Sequence, residues 1–438
     1  MCWEHRVSSI PVSPVIDSRR NIVAFMFDIL VFGVGLVFIP SSTVLVGLAS
    51  QLTQDKALIG VAGMVFSVTW FLPQLFAARV VRNRPRQKMF IILPSLIGRP
   101  MFLLIALWLV ITRAVDPALT LWIMIGGIAL FNMCDALAGV AWFDILSRTL
   151  SPRIRARVMT FGTVGAGLIG LLGSELIKRI LGDPNIPFPV NYAILFGITF
   201  TCFGLAMIGL FVMRETPMRV DELHEQSKAN FGATLSLAMR GDVVFRRIML
   251  VRLLTGIEAM AASFYLVFVK ERYALNNSAD GAFTQAIILG GLIGVALFGW
   301  LAERFTTRRV VHASALMYML TPLVAMLVAW LPVPAGAAYA AFVAVFLMRG
   351  ALDHSLILGL LGYTLDSAPE RNRAMYVGLI NTLGGIVSLT PVLGGLFIDS
   401  FGHEVFQTTP YALLFGLVTL TSTLGLLLAL RLPAVRTA

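Results

Sequence analysis

Eight ionisable side chains stand inside stretches that are otherwise almost wholly apolar: Asp28, Arg99, Asp135, Arg252, Glu258, Arg349, Asp353 and His354. A charge held at membrane depth costs roughly 2.5–3.5 kcal/mol on insertion scales, so each is a candidate for chemistry rather than decoration. Arg349 and Asp353 are four residues apart and share a helix face, which lets them pair locally. Glu258 and Arg349 both fall near the middle of their stretches, so Glu258 can compete for the same guanidinium. The acids Asp28, Asp135, Glu258 and Asp353 outnumber the arginines Arg99, Arg252 and Arg349. At least one acid therefore has no arginine of its own, which is what proton coupling requires. Glu258 is the first candidate for that proton, with Asp28 and Asp135 behind it. Arg349, Asp353, His354 and Arg252 are the charge partners, and purely structural pairing is the competing reading. His354 reads as a hydrogen-bonded core residue, and no His, Cys or acid set has metal-ligand spacing. Arg99-Pro100 interrupts its stretch.

These residues need a scaffold of membrane helices. The chain is 58% hydrophobic and 13% charged, with a mean hydropathy of +0.86, far outside the balance of a soluble domain. Stretches long enough to span a bilayer occur near 22–46, 57–79, 89–112, 118–143, 157–180 and 191–213, then near 247–269, 282–302, 309–331, 335–361, 374–400 and 411–431. Apart from Arg99, the buried charges fall on the first, fourth, seventh and tenth. The fold expected is an all-α integral membrane protein of two pseudo-symmetric six-helix bundles. It divides into a tail (1–21), a bundle (22–213), a linker (214–246), a second bundle (247–431) and a short tail (432–438).

The formal charge of +11 does not point to nucleic acid, because its distribution follows topology. With the N-terminus inside, 25 of the 34 Lys and Arg fall in cytoplasmic segments; only Lys56, Arg113, Lys178, Arg179, Lys270 and Arg272 fall outside. Both termini are expected in the cytoplasm of a multi-pass protein of the inner membrane, in contact with lipid headgroups. Cys2, Cys134 and Cys202 are too few and too scattered for a disulfide framework. The first 21 residues lack the pattern of a cleaved leader, so the first helix should act as an anchor. Phe231 to Met239 in the linker could lie on the membrane surface.

The chain also repeats. Tyr192-Ala193-Ile194-Leu195-Phe196-Gly197 returns as Tyr411-Ala412-Leu413-Leu414-Phe415-Gly416, 219 residues on, half the chain length. Glycines gather in the fifth stretch (Gly162, Gly165, Gly167, Gly170, Gly173) and the eleventh (Gly378, Gly384, Gly385, Gly394, Gly395). They suit either tight packing or a sliding interface. A doubled apolar chain is the pattern of a carrier whose halves rock about a central site.

Between the eighth and ninth stretches lies Gly299-Trp300-Leu301-Ala302-Glu303-Arg304-Phe305-Thr306-Thr307-Arg308-Arg309. It resembles the signature loop of the major facilitator superfamily, matched by Gly299, Glu303, Arg304, Arg308 and Arg309, with Thr306 where a second glycine is usual. A worn copy runs from Ala78 to Lys88, keeping Arg86 and Lys88. The resemblance implies that the first, fourth, seventh and tenth helices line a central cavity. It makes the third helix peripheral, which implies that Arg99 turns inward to Asn132 or Asp135 rather than meeting substrate. It further implies that Glu303 caps the eleventh helix near Arg373, and that Asp144 and Asp366 pair with the clusters at Arg86 and Arg308.

Three functions were weighed. The first is a monomeric secondary carrier of a small solute, driven by protons or another ion. Phe25, Phe27, Phe131, Met133, Phe264, Tyr265 and Met348, taken as cavity residues, favour efflux of amphipathic compounds; uptake of a sugar or organic anion, with Arg349 as the anion's partner, is the alternative. A membrane enzyme lacks a phosphate loop, a metal set or a nucleophile elbow, and no cofactor is implied. A receptor or scaffold that no longer transports is the third.

Overall fold

The computed structural model describes residues 17–82, 86–215, 242–367, 373–401 and 409–434. Long apolar runs in lipid must satisfy their backbone internally, and the described residues are helical accordingly. The helices are α1 (Arg19–Leu52), α2 (Lys56–Arg82), α3 (Met89–Thr112), α4 (Pro117–Thr149), α5 (Pro152–Gly182) and α6 (Val190–Val212). The second half repeats them as α7 (Val243–Tyr273), α8 (Ser278–Arg304), α9 (Thr307–Trp330), α10 (Ala335–Ser367), α11 (373–400) and α12 (Thr409–Leu430). As far as described, eleven are long and apolar enough to cross a bilayer; α2 is an apolar helix over Lys56–Phe71 that continues to Arg82. Several outrun the expected spans. Capping explains some of this: Asp116 accepts the Leu119 amide at 2.9 Å ahead of Pro117, and Asp242 accepts that of Phe245 at 2.9 Å.

Within each half the packing is the same. α1 lies on α5 and α6, α2 on α4, and α3 on α6; α7 lies on α11 and α12, α8 on α10, and α9 on α12. The halves meet where α5 packs on α8 and α2 on α11. The α2–α11 crossing is close: a Cβ on Gly395 would stand 2.2 Å from the Lys56 carbonyl oxygen, and one on Gly60 2.4 Å from that of Pro391. Glycine lets these backbones touch. Of the expected stripes, Gly167 and Gly170 of α5 likewise face Leu292 and Ile288 of α8.

The core shows which end of the seam is shut. One apolar cluster runs continuously through both halves toward the ends where α1 and α7 finish, joining Phe38, Val44 and Tyr192 to Tyr265, Phe268 and Phe283. Toward the ends where α1 and α7 begin, here called the linker face, the core splits. Phe25, Ile91 and Val158 belong to a first-half cluster, and Phe245, Val311 and Tyr363 to a separate second-half one. Among the described residues the core is continuous at the face opposite the linker and divided at the linker face.

Candidate functional site

Three of the helices that carry the candidate charges are interrupted. α1 stops at Val37, turns through Pro40 and resumes in a wide turn over Ser41–Leu45. α7 is interrupted after Gly256, so Glu258 stands at the break, and α10 loosens into a wide turn over Leu356–Leu361 after Asp353. Breaks of this kind aim side chains and backbone into a cavity.

A cavity of about 300 Å³ sits on the seam, lined by Ser41 and Ser42 of α1, Ser67 of α2, Ser263 of α7, Arg349 and Asp353 of α10 and Ser388 of α11. Arg349 holds both acids of this half: its Nη1 donates to Asp353 Oδ1 at 2.6 Å, and its Nε lies 3.6 Å from Glu258 Oε2. Glu258 is 2% exposed and the Asp353 side chain 51%, so one acid is sealed behind the wall and the other faces the opening. The Tyr265 hydroxyl is buried beside the Glu258 carboxyl.

A second cavity, about 340 Å³, lies within the first half. Asp28 takes a hydrogen bond from Trp142 Nε1 at 2.9 Å and faces Arg99 Nη2 at 3.8 Å. Arg99 does turn inward, yet it donates to the Phe203 carbonyl at 2.7 Å and stacks on Phe32, while Asn132 bonds Ile128 within its own helix. Asp135 lies beside Arg99 and Trp70. Apart from Ser95 and Thr163 the rest of the wall is largely apolar and aromatic, including Phe32, Trp142, Phe143 and Met159.

The sequence reading is corrected at several points. Phe25, Phe131, Phe264 and Tyr265 pack in the core, and none of the seven aromatic or methionine residues named as cavity-lining borders the seam cavity. Asp144 pairs with Arg148 at 2.6 Å, one turn away, rather than with Arg86; Asp366 accepts the Thr307 hydroxyl at 2.7 Å rather than Arg308. The signature-loop bases serve their own halves. Arg308 donates to the Leu430 carbonyl at 3.3 Å, and Lys88 to those of Phe211 and Met213 at 2.8 and 2.6 Å, cations on the negative ends of α12 and α6. Arg309 stacks on Phe305 at 4.7 Å. Glu215 caps α3 through the Gln87 and Lys88 amides. The His354 and Arg373 side chains and residues 216–241, with the surface segment expected at 231–239, lie outside the described residues. So does the stretch 368–372 just before α11, where Glu303 was expected to cap.

A group that sequence reasoning missed closes the face opposite the linker. Tyr192 donates to Asp280 Oδ2 across the seam at 3.0 Å, Lys270 holds Asp280 Oδ1 at 2.7 Å, and the Thr43 and Thr284 hydroxyls meet at 2.7 Å. Its counterpart runs the other way: Tyr411 donates to Glu271 at 2.7 Å, and Glu271 pairs across the seam with Lys56 at 2.5 Å. Asp399 of α11 accepts the Lys56 and Ala57 amides at the start of α2, at 3.3 and 3.0 Å. The available signal was the repeated hexamer, which opens on these two tyrosines. Its partners had been read as loop residues.

Comparison with known proteins agrees with this architecture. A family model described as Major Facilitator Superfamily matches residues 21–389 and again 248–438. A curated protein, the arabinose-proton symporter of Bacillus subtilis (strain 168), is 31% identical over 75 residues, a match that spans 17% of this chain and 16% of that one. The crystal structure of a D-xylose-proton symporter superposes with a TM-score of 0.70 at 13% identity, covering 95% of this chain and 97% of that chain. A bacterial homologue of the human lysosomal transporter Spinster, in an inward-facing, unoccupied conformation, gives 0.66 at 15% identity, covering 94% and 96%.

Proposed function

The chain belongs to the Major Facilitator Superfamily, and from that premise we propose that it is a proton-coupled secondary transporter of a small polar solute, working by alternating access. In this reading the linker face is cytoplasmic, as the basic residues favour, the membrane is the cytoplasmic membrane, and the structure is the inward-open state. One observation carries the proposal: a serine-lined cavity on the seam with Arg349 in its wall and Glu258 sealed behind that arginine. Five serine hydroxyls suit a ligand rich in hydroxyls, as a sugar is. The names of the arabinose and xylose symporters point the same way.

The coupling follows from the geometry. Arg349 is shared between a buried and an exposed acid, so protonating Glu258 releases the guanidinium toward Asp353 and the cavity, and losing that proton draws it back. Solute contact with the same wall therefore biases the proton, and the proton biases solute affinity. The test is flux into proteoliposomes over a panel of pentoses, hexoses and organic anions under an imposed pH gradient. Glu258→Gln should lose gradient-driven accumulation and keep counterflow exchange; accumulation that still follows the gradient in this variant refutes the assignment.

The first-half cavity supports a second reading, export of an amphipathic cation: aromatic walls enclose Asp28 and Asp135 against a single Arg99. Lipophilic cations in the same panel separate the two. A folded protein that moves none of these compounds would instead favour the receptor or scaffold.

A further inference from the structure

We propose that the second half contains a pocket for a small monovalent anion, a halide or a carboxylate group, built on Arg252. The pocket lies between α7, α9 and α10, apart from the seam cavity, with a volume of about 20 Å³. That is room for about one water-sized species, a halide or one carboxylate oxygen. Its polar wall is Arg252, Thr255, Ser314, Tyr318 and Ser355.

Among the described residues, Arg252 has a charge with no carboxylate to answer it. Its Nε is buried without a hydrogen-bond partner, and no carboxylate among the described residues lies within ion-pairing distance. Both acids nearby, Glu258 and Asp353, are held by Arg349. The charged or phenolic groups it feels are Tyr318 and Arg349 itself, a like charge. A partly buried guanidinium without counter-charge still carries a desolvation cost, which a counter-ion supplied from solution lowers.

The internal repeat shows what is missing. Asp28 is the tenth residue of α1 and Arg252 the tenth of α7; Arg99 and Tyr318 are 219 residues apart, the offset of the repeated hexamer. The first half closes this spot internally, with Asp28 against Arg99 at 3.8 Å. The second half reverses the sign on its first helix and places a phenol where the opposing charge would stand. The Thr255, Ser314 and Ser355 hydroxyls now bond their own helices, at 2.7, 3.0 and 2.8 Å, and each can rotate to donate inward. Gly384 of α11 leaves the guanidinium its place: a Cβ there would lie 2.7 Å from Nη2. The planar fork of an arginine accepts a carboxylate through two bonds or a halide through one.

The experiment uses the full chain, purified into lipid nanodiscs, and follows thermal unfolding at constant ionic strength. Sodium methanesulfonate, whose anion is too large for the pocket, is exchanged stepwise for sodium chloride or sodium formate. A saturable rise in Tm with either salt is expected; chloride alone identifies a halide site and formate alone a carboxylate site. Arg252→Gln should abolish the rise, and its Tm in methanesulfonate should equal or exceed that of wild type because an unpaired, partly buried charge is gone. A merely structural arginine predicts the reverse, a lower Tm in every salt. Arg252→Lys should keep the response, Ser314→Ala should weaken it, and both serve if the glutamine variant does not fold. Equal Tm values in the three salts for wild type, or a response that survives Arg252→Gln, would overturn the proposal.

Discussion

Tyr192→Phe deletes one hydroxyl from the seam and little else. That hydroxyl donates to a fully buried carboxylate, Asp280, in the other half at 3.0 Å, and it accepts from Gln51 at 3.0 Å. Asp280 keeps Lys270, so no bare charge is created. A hydrogen bond to a charged group contributes about 1.5–3 kcal/mol. Because this bond crosses the seam, it exists only while the face opposite the linker is shut, and its loss weighs on the closed state alone. At about 1.4 kcal/mol per decade, the balance should move roughly ten- to 150-fold toward opening on that face. The assay places a cysteine at Ser67, which lines the seam cavity, in a background lacking Cys2, Cys134 and Cys202, and measures maleimide labelling from the opposite face in vesicles. Tyr363→Phe is the control: its hydroxyl bonds the Pro433 carbonyl inside one half, at 2.8 Å, and its loss should leave labelling unchanged. Unaltered labelling in a folded Tyr192→Phe protein, or an equal increase in Tyr363→Phe, would refute the reasoning.

Two further outcomes follow from the same geometry. Gly395→Ala puts a methyl 2.2 Å from the Lys56 carbonyl oxygen, backbone that cannot rotate away, so α2 and α11 must separate; labelling at Ser67 from the face opposite the linker should rise, and wild-type labelling would count against the crossing as a gate. Arg349→Ala strands Glu258, 2% exposed, without its guanidinium, a loss of about 3–5 kcal/mol for a fully buried pair and less here because Arg349 is 26% exposed. The double variant Arg349→Ala/Glu258→Gln should recover much of the lost Tm, and simple additivity in the cycle would show that the two do not act as a pair.

The fold was legible because lipid leaves few alternatives: apolar runs of spanning length must be helices, and a repeated hexamer half a chain apart announces two like halves. The buried charges were legible for the same reason, and their pairing partly so, since Arg349 and Asp353 sit one helical turn apart. What stayed hidden was any pairing that depends on helix rotation. Phe25 and Phe131 occupy helices that border cavities but turn into the core, because a helix facing a cavity on one side must pack on the other. Asp144 pairs with Arg148, one turn along its own helix, rather than with Arg86 just ahead of α3 in the same half. Lys56 and Tyr192 gave no local signal of pairing because their partners, Glu271 and Asp280, lie in the other half, and no local spacing rule joins such residues.

The repeat separates what the two halves share from what they do not. Tyr192 and Tyr411 keep the same residue and the same task, each bonding a carboxylate at the closed face. Lys88 and Arg308 keep a cation on the last helix of their own half. These are parts of the frame, and a frame that rocks about a pseudo-two-fold axis needs them in duplicate. The interior positions diverge instead. Arg99 gives way to Tyr318 at the repeat offset, and the tenth residue is Asp28 in α1 but Arg252 in α7, while Asp135 and Asp353, each the nineteenth residue of its helix, remain acidic. The first half thereby encloses two acids around one base, with aromatic walls, whereas the second divides two acids and two bases so that one base stands alone. Divergence at these positions, on a frame that stays symmetric, gives the first-half cavity and the seam cavity unlike walls, one largely aromatic and the other lined by serines.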